Sequence, residues 1–203
     1  IESAWRDARI GRIYEGTNEI NRMLSIGMIL KKAMKGELDI MTAYQNIIEN
    51  KSEEILENSD ELNDEITLVE NMKKVFLLLL GKSFEKFGAE IDTNQQVLLS
   101  LSDLAIETYI SESTLKRTIK NIKRTSANDQ EYQISMSKLY IYEASKIIEK
   151  KSRDIINSVV DDKSQEKIYD SVLNKFKYSN NPNIFELKTH VANKIIAENN
   201  YCF

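Results

Sequence analysis

Three long stretches carry apolar side chains at helical spacing, and nothing between them reads as a strand. Leu68, Val69, Met72, Val75, Phe76, Leu79, Leu80, Phe84 and Phe87 form the first stripe, which Gly88 closes. Val97, Leu98, Leu101, Leu104, Ala105, Ile106, Tyr109 and Ile110 form the second, with Asp92 or Thr93 as its cap and an end near Arg124. Leu139, Tyr140, Ala144, Ile147, Ile148, Ile155 and Ile156 form the third, over residues 132–160. Apolar residues recurring every three to four positions bury one face of a helix. Three such helices joined by short turns fold back on one another, so the spacing predicts an antiparallel helical bundle. A single proline and six glycines leave few places for the chain to turn, which keeps these helices long.

Either side of this trio the pattern is less regular. Residues 18–34 repeat apolar positions through Ile20, Met23, Leu24, Met28 and Leu30 until Gly36 stops the run, and residues 40–48 repeat them briefly. Residues 49–65 carry eight acids against one lysine and read as a solvated linker or a short polar helix. Turn formers fill residues 125–129. A shorter helix over 163–178, a break at residues 180–183 and a last helix over 184–198 complete an all-α chain, without internal repeats. The organisation expected is a short N-terminal unit at residues 1–35, a linker at 36–65 and a helical bundle domain at 66–203.

Several classes of function are disfavoured. A formal net charge of -4 argues against nucleic acid as a partner, since such binding rests on cations that neutralise phosphates. The lone Cys202 cannot form an intrachain disulfide, and the first residues lack the basic-then-apolar build of a signal peptide, so a reducing intracellular compartment is expected. The longest apolar run, residues 75–80, is far short of the roughly 20 residues that span a bilayer. Neither His190 nor Cys202 has neighbours at metal-ligand or nucleophile spacing, and both are assigned to surface or packing positions.

The one chemically specific stretch is Ile13-Tyr14-Glu15-Gly16-Thr17-Asn18-Glu19-Ile20. Gly16 can take a backbone conformation closed to other residues, and Thr17 can cap the following helix. Glu15 is thereby held on a stiff corner, where a carboxylate can serve as a general base. Thr17 and the N–H groups of Asn18 and Glu19 sit at a helix N-terminus, which favours a phosphate.

Together with Trp5-Arg6-Asp7-Ala8-Arg9-Ile10, this stretch resembles the last catalytic segment of the acyl-CoA dehydrogenases, in both content and spacing. The region after residue 35 resembles, in pattern and length, the additional helical domain of the very-long-chain branch. The resemblance implies an FAD-dependent flavoprotein of fatty-acid β-oxidation that oxidises acyl-CoA to trans-2-enoyl-CoA. In that family a glutamate takes the α-proton of the thioester while the β-hydrogen leaves as hydride to the flavin, and Glu15 stands at that glutamate's position. The backbone N–H of Glu15 would be one donor to the thioester oxygen. Tyr14 and Gly16 would border the substrate, with Tyr14 as a core tyrosine the other reading, and Thr17, Asn18 and Glu19 would hold the FAD pyrophosphate. Glu19 is expected to contribute its backbone, since its carboxylate would repel phosphate.

The same resemblance implies electron-transfer flavoprotein as the acceptor, a homodimer, and a location in bacterial cytoplasm or the mitochondrial matrix. Such enzymes also have an N-terminal helical domain and a middle β-domain, so a chain that starts at Ile1 reads as a C-terminal piece, inactive by itself. Arg6 and Asp7 are expected to tie the segment to the core by ion pairing. Lys116, Arg117, Lys120, Lys123 and Arg124 crowd around an apolar edge of Leu115, Ile119 and Ile122, a pattern that suits either anionic lipid or a solvated bundle helix. Two other readings stand beside the enzyme: a non-catalytic helical module for dimerisation or membrane docking, and an acyl-CoA oxidase with oxygen as acceptor.

Overall fold

The computed structural model of the chain describes residues 1–49, 51, 59–126, 130–200 and 202. It is all-α, with no strand among the described residues. The helices are α1 (Glu2–Ile10), α2 (Asn18–Met34), α3 (Ile40–Ile48), α4 (Asn63–Phe87), α5 (Gln95–Arg124), α6 (Glu131–Val159), α7 (Asp162–Leu173) and α8 (Ile184–Glu198).

The three apolar stripes become α4, α5 and α6, which pack against one another as expected from the spacing. Their alternation up and down is fixed by cross-helix pairs: Lys73 with Glu112, Tyr140 with Glu107, and a buried hydroxyl pair of Thr118 with Ser137 at 2.7 Å. Met72, Val75, Leu79, Leu101, Leu104, Ile141, Ile148 and Ile156 are fully enclosed between them. Burying each such side chain stabilises the fold by about 1.5–3 kcal/mol.

Around this trio, α2 lies on α5, α3 on α4, and α7 and α8 on α6. α2 adds Ile26 and Leu30 to the same core, and α3 adds Tyr44. The 175–180 segment returns to α4, where the Asn71 side chain donates to the Lys175 carbonyl at 2.9 Å and the Asn180 N–H to Asp64 at 3.3 Å.

Helix boundaries differ from expectation in three places. The first residue of α5 follows Asn94 and not Asp92 or Thr93, because residues 88–93 wind into a 3-10 turn in which the Thr93 hydroxyl donates to the Glu90 carbonyl. α7 stops at Leu173, and a further 3-10 turn carries Phe176 into the core. Within the acidic stretch, Leu62 and Glu65 are buried at the start of α4, so its last residues are packed and not solvated. Residues 50 and 52–58 of that stretch, and 127–129 of the turn before α6, lie outside the described residues.

Candidate functional site

The Glu15 corner is built by the turn between α1 and α2. The N–H groups of Ile13 and Tyr14 donate to the Ile10 carbonyl, and the Asn18 N–H reaches back to the Arg12 carbonyl at 3.2 Å, closing residues 12–18 into a loop. Thr17 caps α2 as expected, its hydroxyl oxygen accepting from the Ile20 N–H at 3.2 Å. Gly16 has φ +95, and Glu15 itself has φ +55. Glutamate rarely holds that left-handed conformation unless its surroundings impose it, and residues so held gather at functional sites.

A residue that the sequence reading missed braces the next peptide. The Asn21 side-chain amide donates to the Gly16 carbonyl at 2.8 Å. A Cβ on Gly16 would come within 2.8 Å of Asn21 Oδ1, which would have to swing aside, and φ +95 favours glycine by itself. Asn21 sits five residues past Gly16 at a distance no helical repeat singles out, and only the closed turn brings it there.

Glu15, Gly16, Glu19 and Tyr14 are exposed, Tyr14 to 54%, and Thr17 and Asn18 are half-buried. The Glu15 N–H makes no hydrogen bond among the described residues, which suits a donor to substrate. Of the two amides expected to receive phosphate, Asn18's is taken by Arg12. Glu19's lies in the first helical turn and has no helical carbonyl behind it. The Thr17 hydroxyl keeps its proton free to donate. Thr17 and Glu19 therefore fit a pyrophosphate at the helix terminus, with the Glu19 carboxylate turned to solvent, while Asn18 fits only if its N–H leaves Arg12.

An apolar face continues from this corner. Ile20, Leu24, Met28 and Met34 on α2 are 50–75% exposed. They border a groove of about 680 Å³ closed on its other side by Phe84 and Ile91. A second hollow of about 480 Å³, lined by Leu38, Met41, Tyr44 and Leu80, adjoins it.

Two groups of charged residues named from the sequence can be placed in the structure. Arg6 pairs with Glu2 one turn back in α1, at 3.7 Å and well exposed, and α1 buries no residue, so within this chain Arg6 and Asp7 make no tie to the bundle. That tie is made by Arg22, whose Nε donates to Asp103 of α5 at 2.8 Å. Lys116, Arg117, Lys120, Lys123 and Arg124 are exposed, but Leu115 and Ile119 beside them are buried against the bundle. Ile122 is half-buried, so of the two readings of this edge the packing favours the solvated bundle helix. His190 stacks flat on Tyr132 at 4.4 Å, a packing role. No cluster of metal-ligating side chains occurs among the described residues, and no helix among them is long and apolar enough to cross a membrane.

Known proteins with the same features agree in kind. The sequence profile of the family described as acyl-CoA dehydrogenase, C-terminal domain, matches residues 71–175, which run through α4, α5, α6 and α7. A probable acyl-CoA dehydrogenase of Bacillus subtilis (strain 168) is 31% identical over 203 residues, covering 99% of this chain and 34% of that protein. The crystal structure of an acyl-CoA dehydrogenase complexed with FAD from Bacillus anthracis superposes with a TM-score of 0.91 at 32% identity, covering 100% of this chain and 35% of that one. The chain thus spans about a third of the length of these relatives. With more than half of its residues under the family profile, the chain belongs to the acyl-CoA dehydrogenase family.

Proposed function

We propose that this chain is the C-terminal part of an FAD-dependent acyl-CoA dehydrogenase of very-long-chain type, oxidising acyl-CoA to trans-2-enoyl-CoA in β-oxidation. The observation that carries this reading is Glu15, held at φ +55 beside Gly16, with a free backbone N–H and the start of α2 next to it. The carboxylate takes the α-proton of the thioester, and the Glu15 N–H donates to the thioester oxygen as negative charge builds there. FAD, when bound, supplies the acceptor for the β-hydride. Thr17 and Glu19 hold its pyrophosphate through hydroxyl and amide, Asn18 joins them once its N–H is released, and Tyr14 and Gly16 border the substrate.

The remaining assignments follow from the family likeness. Residues 1–35 close the catalytic helical domain, 36–65 link, and 66–203 form the additional bundle. Electron-transfer flavoprotein takes the electrons, the intact enzyme is a homodimer, and it works in bacterial cytoplasm or the mitochondrial matrix.

The test is Glu15→Gln in the complete enzyme. Flavin content should stay normal while reduction by acyl-CoA falls by about 10²–10⁴-fold, the usual contribution of a positioned base. Reduction at the parental rate would remove Glu15 from the role. A second reading, a non-catalytic module for association, is favoured by one observation, that the chain covers only a third of its relatives. The isolated 203 residues should accordingly be colourless and inactive, and a yellow preparation that turns over acyl-CoA would show them to be more than a piece of the enzyme.

A further inference from the structure

Asp103 is a meeting point of three helices. Arg22 of α2 donates to its Oδ1 at 2.8 Å, and Lys151 of α6 lies 2.9 Å from its Oδ2, so both oxygens of this α5 carboxylate are engaged. The side chains are 35%, 22% and 30% exposed, which leaves the cluster only partly open to screening by solvent. The Arg22 guanidinium also sends Nη1 to the Asn18 carbonyl at 3.4 Å, holding the first turn of α2. One residue earlier, Asn21 holds the Gly16 carbonyl. A turn further on, the hydroxyls of Ser25 and Ser102 meet at 3.0 Å and fix the rotation of α2 on α5.

The conformation of Glu15 needs such support. A non-glycine residue at positive φ persists only where neighbours over-determine it. The backbone bonds to Ile10 and Arg12 close the turn, but α1 buries nothing, so the turn is anchored to the bundle through α2. Between the bundle and the Glu15 corner runs one chain of polar contacts: Asp103 to Arg22, Arg22 to Asn18, and the adjacent Asn21 to Gly16.

We infer that Asp103 is a positioning residue for Glu15, acting through Arg22, and that the C-terminal bundle thereby sets the geometry of the base. The inference rests on the reading of Glu15 as that base. Loss of the Asp103 charge leaves Arg22 and Lys151 as two cations with no anion between them and frees the first turn of α2. A base displaced by about 1 Å slows proton transfer by up to about 10²-fold, and because the same turn carries Thr17, Asn18 and Glu19 the rate is read on enzyme that retains its flavin.

The experiment compares Asp103→Asn, Asp103→Glu, Arg22→Gln and the double variant R22Q/D103N in the complete enzyme. The readouts are single-turnover flavin reduction by saturating acyl-CoA, acyl-CoA affinity and FAD content. Asp103→Asn should reduce its flavin at least about 10-fold more slowly, measured per bound flavin and at saturating acyl-CoA so that weaker binding is separated from slower proton transfer, and Asp103→Glu should recover part of the rate. The double variant should be no slower than the worse single one, since both break the same bond. A bundle that merely stabilises the fold would lower the melting temperature and leave the reduction rate alone. A parental rate in Asp103→Asn, beside an inactive Glu15→Gln, overturns the inference. Should Glu15→Gln prove fully active, the base assignment fails instead, and the strap is then judged by amide hydrogen exchange: faster exchange at residues 18–23 in Asp103→Asn supports it, and unchanged exchange overturns it. If Asp103→Asn does not fold, Arg22→Gln keeps the Lys151 pair intact and decides the matter by the same readouts.

Discussion

Two buried residues of α4 make predictions that do not depend on the catalytic reading. Glu65 is 3% exposed, and burial raises its pKa above the ordinary 4.5, against the pull of Lys138 and with a further push from Asp64. A carboxyl group that binds its proton more tightly when folded favours the fold at low pH. That contribution is lost as pH rises from the ordinary carboxylate value through the raised one, after which the full cost of a buried charge remains. Glu65→Gln should therefore raise the melting temperature at pH 8 by more than at pH 4, and a difference that is the same at both pH values would show that Glu65 is not buried as a charge. Gly81 faces Tyr44 so closely that an added Cβ would overlap the ring. Tyr44 cannot step aside, being 2% exposed with its hydroxyl donating to Glu85 at 2.7 Å, an arrangement in which burial and Glu85 push its own pKa up to about 12. Gly81→Ala should destabilise the chain by about 1–3 kcal/mol in urea titrations. In a Tyr44→Ala background the same change should be neutral or better, since alanine favours a helix by about 1 kcal/mol over glycine.

Elements were legible in the sequence where burial is one-sided and long. α5, α6 and α8 run within a residue or two of the apolar patterns, and Gly36 and Gly88 mark ends with φ +73 and +52. Periodicity reports which face is apolar and not what that face meets, which is why Leu115 and Ile119 suited a lipid edge on paper and pack into the bundle in space. The Glu15 corner was legible too, because turn chemistry is local. Asn21 and Asp103 were not: one acts across a closed turn, and the other pairs with a residue 81 positions away, for which one of three acids on an amphipathic helix gives no sign. The lipid question has a direct test at this scale. With only exposed cations left on that end of α5, attraction to anionic vesicles is screened within about 8 Å at physiological salt. Sedimentation at 150 mM salt should leave the protein in solution, and co-sedimentation there would mean that apolar side chains leave the core to meet the membrane.

At the scale of the whole molecule, the proposed boundary after residue 35 meets a core that crosses it. Ile26 and Leu30 of α2 belong to the same apolar cluster as Met72, Leu101 and Phe176, at 0% and 8% exposure. Yet α4, α5 and α6 enclose their central residues with one another, and the pairs that set their order, Lys73 with Glu112 and Thr118 with Ser137, involve no residue before 63. Losing Ile26 and Leu30 of α2 and Tyr44 of α3 from the core removes together about 4.5–9 kcal/mol, a large part of the 5–15 kcal/mol that typically holds a domain folded. A chain of residues 60–203 should consequently remain helical and melt cooperatively at a lower temperature than the 203-residue chain, with Leu98 and Phe84 newly open to solvent. Circular dichroism melts of the two decide it. A shortened chain that is unfolded at 25 °C would make the bundle and the segment before residue 60 one folding unit, and one that melts at the same temperature as the parent would mean that α2 and α3 contribute nothing to the core they lie on.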